Sequence, residues 1–339
     1  MISNTKTILS EEQIGQIIRK HFGGDVTLDS VDQLAEGWFN AVCVVSFRGQ
    51  NGRTDVVLKT GVEDSKYILS YEKEIMRAEL SVYDMLRDTI VPIPKILVRD
   101  FSREIVPCNY FIMEKLRGDH WGHLESKISP ENREELIAEL ARYTAAFHKI
   151  KGSWFGYLKD DVSFQYPTWR TAFQGMVHLV IRDAKKGKVD LPYDRILDAL
   201  EPLWVILDEI TEPCLVNFDM WNKNIMLIER DGVYHIDGII DHERAFYGDP
   251  YAEFISSNTI CGDVENDQCF RENYSRISGK PFTYTQNDRI RLCMYRLYLM
   301  LLVGAEVYRY NAEDAQNMLN FCREKLGEEL ANLQKTVHP

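Results

Sequence analysis

The chain has 339 residues, 45% of them apolar and 27% charged, which excludes wholesale disorder and favours two domains or lobes. Forty Lys and Arg against 52 Asp and Glu leave a formal charge of -12. That is the wrong sign for a general nucleic-acid binder, whose affinity comes from neutralising phosphates.

No stretch approaches the ~20 consecutive apolar residues of a membrane span, and the first residues lack the basic start and apolar run of a signal peptide. The cysteines are odd in number and scattered, with no CxxC pair, so neither a disulfide scaffold nor a zinc framework is expected. The expectations are therefore no membrane, no nucleic acid and a cytoplasmic location.

In chain order, residues 11–22 (EEQIGQIIRKHF) read as an amphipathic helix behind a Ser10 cap, with Ile14, Ile17 and Ile18 on one face. Strands are expected over 26–34, 41–47 and 55–59, the last two joined by a turn at Asn51-Gly52-Arg53. A helix from about Ser70 to Arg87 is barred from continuing by Pro92 and Pro94. Two more strands are expected over 95–99 and 110–114. Beyond Arg117-Gly118 the pattern turns helical, over 131–150, 168–185, 193–210, 252–260, 286–309 and 312–333, with one strand-rich interruption at 225–240. The expected class is α+β: a small, mostly β N-terminal lobe (1–113), a linker (114–118) and a large, mostly helical C-terminal lobe (119–339), with a ligand cleft between lobes.

The most informative stretch is residues 217–250, NFDMWNKNIMLIERDGVYHIDGIIDHERAFYGDP. Two apolar runs flank Asp231-Gly232, a hairpin signal. Folding there sets Asn224 and Asp241 side by side at the open end. An amide oxygen and a carboxylate converging on one point suit Mg²⁺, although the ordinary polar ends of a surface hairpin fit the same spacing. Asp219, five residues before Asn224, lies in the loop leading into this place.

The ordered set Asp219-x4-Asn224, Ile240-Asp241 and Gly248-Asp249-Pro250 resembles the catalytic core of the aminoglycoside phosphotransferase and choline kinase family, whose fold is protein-kinase-like. Where that family usually opens with His-Gly-Asp, this chain has Asn217-Phe218-Asp219; an amide can also donate and accept hydrogen bonds. The resemblance covers roughly residues 25–255. It implies an ATP-dependent phosphotransferase acting on a hydroxyl of a small molecule, an aminoglycoside-like or amino-alcohol acceptor, with ATP and Mg²⁺ as cofactors. Asp219 would orient the acceptor hydroxyl and take its proton, while Asn224 and Asp241 would hold Mg²⁺. Asp249 would tie the following loop and helix together.

The same resemblance assigns nucleotide-binding roles in the first third. Lys59 ends the apolar run Val56-Val57-Leu58 and would bind phosphate. Glu79 would orient it. Glu79 steps with Ile75, Val82 and Leu86 on an apolar helix face, where a charge is costly unless paired, and Glu72 competes for the role. Gly37, the single glycine of residues 34–40, would belong to the phosphate-covering loop. Met113, Glu114 and Leu116 would meet adenine at the hinge.

A second reading is a non-catalytic nucleotide-binding pseudokinase with a regulatory or scaffold role, favoured by Asn217 and the single-glycine loop. The net charge and the acids Asp263, Glu265, Asp267 and Glu272 favour a cationic acceptor, though each acid also fits a solvated helix face. Trp154, Phe155, Tyr157, Trp169 and Phe173 read as core ahead of acceptor pocket, and His148 as a packing residue.

Overall fold

In the computed structural model, which describes residues 3–34, 37, 39–50, 52–62 and 65–337, Ser10 caps α1 (Glu11–Phe22). Its hydroxyl accepts from the Gln13 amide at 3.3 Å, and the Gln13 side chain takes the Ser10 N–H at 2.9 Å. The reciprocal pair satisfies two donors that a helix start would otherwise orphan.

Met1–Ile68, Pro94–Leu116 and Arg309–Ala315 form one compact unit. Its sheet is antiparallel and comprises β1 (Thr27–Leu34), β2 (Ala41–Gly49), β3 (Gly52–Thr60), β4 (Ile96–Asp100) and β5 (Tyr110–Glu114), in the order β1-β2-β3-β5-β4. Ile14, Ile17 and Ile18 of α1 join Val45, Phe47, Val56, Leu58 and Ile112 in one buried cluster. Successive strand residues face opposite ways, so Lys59 lies on the face opposite Leu58. It shares that face with its cross-strand partner Phe111 and with Met113, and all three are buried. Asn51 of the expected turn, and Ala35, Glu36 and Trp38 of the expected phosphate loop, lie outside the described residues.

Leu69–Ile93, Arg117–Tyr308 and Gln316–Pro339 form the second, larger unit, which is mostly helical. Its first helix, α2 (Ile75–Leu86), starts later than the sequence predicts. Ser70–Glu72 make a 3-10 turn instead, closed by the Leu69 amide on the Glu72 carboxylate at 2.6 Å, and Glu74 then breaks the chain in a left-handed conformation, φ 58°. There follow β6 (Asp119–His120), α3 (Trp121–Leu124), α4 (Pro130–Lys149), β7 (Gly156–Tyr157), α5 (Trp169–Lys186), α6 (Tyr193–Leu200) and β8 (Cys214–Val216). The predicted hairpin is β9 (Ile225–Arg230) and β10 (Val233–Ile239), and β11 (Phe246–Gly248) comes after it. The chain ends with α7 (Phe254–Cys261), α8 (Gln268–Ser278), α9 (Gln286–Ala305) and α10 (Ala312–Val337).

The single strand-rich interruption expected at 225–240 is corrected here. β6, β7, β8 and β11 are two or three residues long, too short to show an alternating pattern. α8 is not among the expected helices, because polar residues surround the buried Phe270 and Tyr274. Among the described residues, no helix is long and apolar enough to cross a membrane.

Candidate active site

Two short antiparallel pairings frame the loops around Asp219 and Asp241. β8 runs directly into residues 217–224, and these run into β9; β10 runs into residues 240–245, and these run into β11. Pairing of β8 with β11 (Val216↔Phe246, Cys214↔Gly248) and of β9 with β10 (Ile225↔Ile239) zips both ends. The two loops must therefore emerge at one place. The hairpin turn has the positive φ values its sequence calls for, 53° at Asp231 and 83° at Gly232. β6 is laid against β9 through Gly118, where a Cβ would come within 2.1 Å of the Leu227 carbonyl oxygen. No larger residue fits that approach.

Within the first loop, the Asn224 side-chain amide donates to both the carbonyl and the Oδ2 of Asp219, each at 3.0 Å. The Ile240 amide donates to the Asn224 carbonyl at 2.9 Å, so Asp241 is the next residue past the ladder. Asp241 adopts φ 63°, and its amide meets the Tyr83 hydroxyl at 3.4 Å. The Asn224 amide nitrogen is thus spent on Asp219, so that its oxygen is the atom that could ligate a cation. Asp241, Glu79 and Glu243 each offer a carboxylate oxygen, all within 4.8 Å of one another. An all-oxygen donor set of this kind fits Mg²⁺.

The loop carrying Asp219 is held in a strained form. Phe218 has φ 64°, a conformation that costs a non-glycine residue of order 1–3 kcal/mol. Its ring is buried against Phe246 and Tyr298, 5.2 and 5.8 Å between centroids. Glu253 accepts the Asn217 amide at 2.6 Å and the Phe218 amide at 3.3 Å, and Ser256 donates to the Phe218 carbonyl at 3.0 Å. Asn217 itself is buried and faces His242, Oδ1 to Nδ1 3.3 Å.

Burial pushes the Asp219 carboxyl up to about 8, with Asp241, Glu243 and Glu306 adding to the rise and Arg244 opposing it. The Arg244 Nε lies 4.0 Å from Asp219 Oδ2, and its Nη2 donates to Glu306 at 3.0 Å. Burial likewise raises Glu253 to about 7, against the pull of the amides of Asn217, Phe218 and Met220.

Asp219, Asn224, Asp241 and Glu79 all lie in the larger unit, and Glu79 is buried on α2. Lys59, Gly37, Met113, Glu114 and Leu116 lie in the smaller unit. Glu72, the competitor of Glu79, is committed to the Leu69 amide and to Tyr71. Asp249 is buried, caps the turn at Pro250–Glu253 and binds Arg291 at 2.9 Å and the Tyr295 hydroxyl at 2.7 Å. It caps the turn that follows it, and its side chain is joined to the more distant α9.

His148 is buried on the Tyr274 hydroxyl, and Phe155, Tyr157, Trp169 and Phe173 are core. Asp267 caps α8, Asp263 bonds the Glu265 amide, Glu265 pairs with Arg289 and Glu272 accepts from Gln268. These four acids are thus spent on local structure.

Sequence reasoning did not single out Arg244, Glu243 or Glu306. The signal for Arg244 was a charge lying between Asp241 and the apolar Ala245-Phe246; Glu306 gave none.

Over residues 31–288 the chain matches the family model described as the phosphotransferase enzyme family. No curated protein matches it in sequence. Among solved structures it is similar to a Ralstonia eutropha protein assigned to the aminoglycoside phosphotransferases, at 16% identity and TM-score 0.62, over 96% of this chain and 98% of that one. It is also similar to APH(2'')-IIa in ternary complex with streptomycin and ATP, at 16% identity and TM-score 0.56, over 96% and 99%. A thermostable mutant of APH(4)-Ia with AMP-PNP and hygromycin B matches at 18% identity and TM-score 0.61, over 94% and 98%. The chain belongs to the phosphotransferase enzyme family and has the protein-kinase-like fold.

Proposed function

We propose that this protein transfers the terminal phosphoryl group of Mg·ATP to a hydroxyl of a small molecule. The observation that carries the reading is the convergence of Asp219, Asn224 and Asp241 at one end of two paired strand sets, in a chain of this family. Solved structures of similar fold were obtained with ATP or AMP-PNP and with streptomycin or hygromycin B, which supports a nucleotide and a polyhydroxylated amine as the two substrates.

Phosphoryl transfer needs little covalent chemistry from a protein; alignment and charge neutralisation do most of it. Asp219 is the proposed base. Its side chain keeps about a quarter of its surface open, so an incoming hydroxyl can reach it, and Asn224 fixes its Oδ2. Asn224 and Asp241 are the proposed ligands of Mg²⁺, which when bound would neutralise charge on the phosphates. Lys59 is the proposed phosphate cation and Glu79 the carboxylate that orients it. Gly37 is assigned to phosphate covering, and Met113, Glu114 and Leu116 to adenine. A cationic acceptor is supported by the net charge, rather than by the acids at 263–272.

The test is ADP release over a panel of aminoglycosides, amino alcohols, sugars and neutral alcohols, with D219N as blank. Release above the blank with at least one acceptor supports the reading. No release with any acceptor, together with intact ATP binding, favours the pseudokinase.

A further inference from the structure

Away from Asp219, the start of α3 gathers a second set of ligating side chains. Asp119, His120 and His123 each offer one donor atom, all within 4.8 Å of one another. We propose that this triad is a binding site for a borderline divalent ion of the Zn²⁺, Ni²⁺ or Cu²⁺ type, separate from the all-oxygen set at Asp241.

The spacing of Asp119 and His123 is close to what such an ion requires, while the His120 and His123 rings, 3.4 Å between centroids and tilted by 36°, must splay apart for both to reach it. Asp119 Oδ1 and His123 Nδ1 are 3.0 Å apart. Ligands at ~2.1 Å around a tetrahedral ion stand roughly 3.4 Å from one another, so a few tenths of an ångström separate the pair from a coordinating arrangement. The backbone that carries them is already fixed. Asp119 and His120 pair with Leu227 and Met226 of β9, and the Gly122 amide donates to the Asn222 carbonyl at 3.1 Å. The Asp119 carboxylate also accepts its neighbour's amide, from His120, at 2.8 Å. Ligand groups held this way lose little freedom on binding.

The proton balance is simple. Asp119 Oδ1 and His123 Nδ1 share a hydrogen bond at 3.0 Å, and a proton on that nitrogen must move to Nε2 or to solvent before an ion can bind there. An ion at that point takes its place, and the neutral imidazole of His123 carries its proton on Nε2. His120 Nδ1 now accepts the His123 amide at 3.2 Å; binding the ion there exchanges one long hydrogen bond for a metal bond. Asp119 and His123 are both about half exposed, which gives the ion access and leaves remaining positions to water. Two imidazoles and one carboxylate select Zn²⁺, Ni²⁺ or Cu²⁺ over Mg²⁺ and Ca²⁺, which prefer oxygen alone.

The experiment is calorimetric titration of the full chain with Zn²⁺ alone and with Cu²⁺ alone, without nucleotide or Mg²⁺. It is paired with electron paramagnetic resonance of the Cu²⁺ form. Wild type should bind one ion at this site with nitrogen couplings from two imidazoles. H123A and D119N should each weaken binding by at least roughly tenfold, and H123A should reduce the coupling to one nitrogen. Because His120 caps α3, H123A and D119N are the informative variants, and circular dichroism confirms that they are folded. Equal affinity and stoichiometry in wild type and H123A, or Cu²⁺ spectra without paired nitrogen couplings, would overturn the proposal.

Discussion

Glu306 accepts a hydrogen bond from Arg244 Nη2 at 3.0 Å while the Nε of that guanidinium lies 4.0 Å from the Asp219 carboxylate. One cation thus stands between the proposed base and a carboxylate buried at the end of α9. Tyr71 also donates to Glu306, at 3.1 Å. The arrangement lets Arg244 stay charged and in place beside Asp219 without being drawn wholly into an ion pair with it.

Removing one member of a buried pair strands the other's charge, at a cost of about 3–5 kcal/mol. E306Q should therefore lose stability on that order in urea denaturation. R244M combined with E306L should lose much less than the two single changes summed. Costs that simply add would show that the pair is not coupled.

Glu253 predicts a pH dependence of stability. Its folded pKa, about 7, stands above the ordinary 4.5, so between these values the folded chain holds a proton that the unfolded chain has released. Stability must then fall as pH rises from about 4.5 to 7, by up to the order of 3 kcal/mol. E253Q cannot ionise yet keeps an acceptor for the Asn217 and Phe218 amides, so its melting temperature should fall less than that of wild type between pH 5 and pH 8. Parallel curves for the two proteins would refute the assignment.

Asn217 predicts a packing effect. It is fully buried with its amide oxygen on His242, so N217H forces a larger ring into a filled place and should cost about 1–3 kcal/mol. Exchanging the two residues, N217H with H242N, restores the volume and should recover most of that loss in thermal unfolding. If N217H alone melts with wild type, the pocket is looser than these contacts require.

Much of this was readable in the sequence. Ser10 with Gln13 announces α1, and Asp231-Gly232 announces the β9–β10 hairpin with Asn224 and Asp241 at its mouth. Local chemistry and spacing sufficed for these. What escaped depends on partners far along the chain. β8 and β11 exist because each completes the other, and Arg244 meets Glu306 across 62 residues. The late start of α2 escaped for a different reason: Glu74 is a good helix former that takes a left-handed turn once Glu72 has closed on Leu69. Tertiary context overrode propensity there.

The central claim is that Asp219 directs phosphoryl transfer to a small hydroxylated acceptor. It is tested most directly by mass spectrometry of the acceptor after incubation with Mg·ATP and either wild type or D219N. The account predicts an acceptor one phosphoryl group heavier with wild type, formed in step with ADP, and none with D219N although that variant still binds Mg·ATP. An equal yield of phosphorylated acceptor from both proteins, or ADP release by wild type without any phosphorylated acceptor, would contradict it.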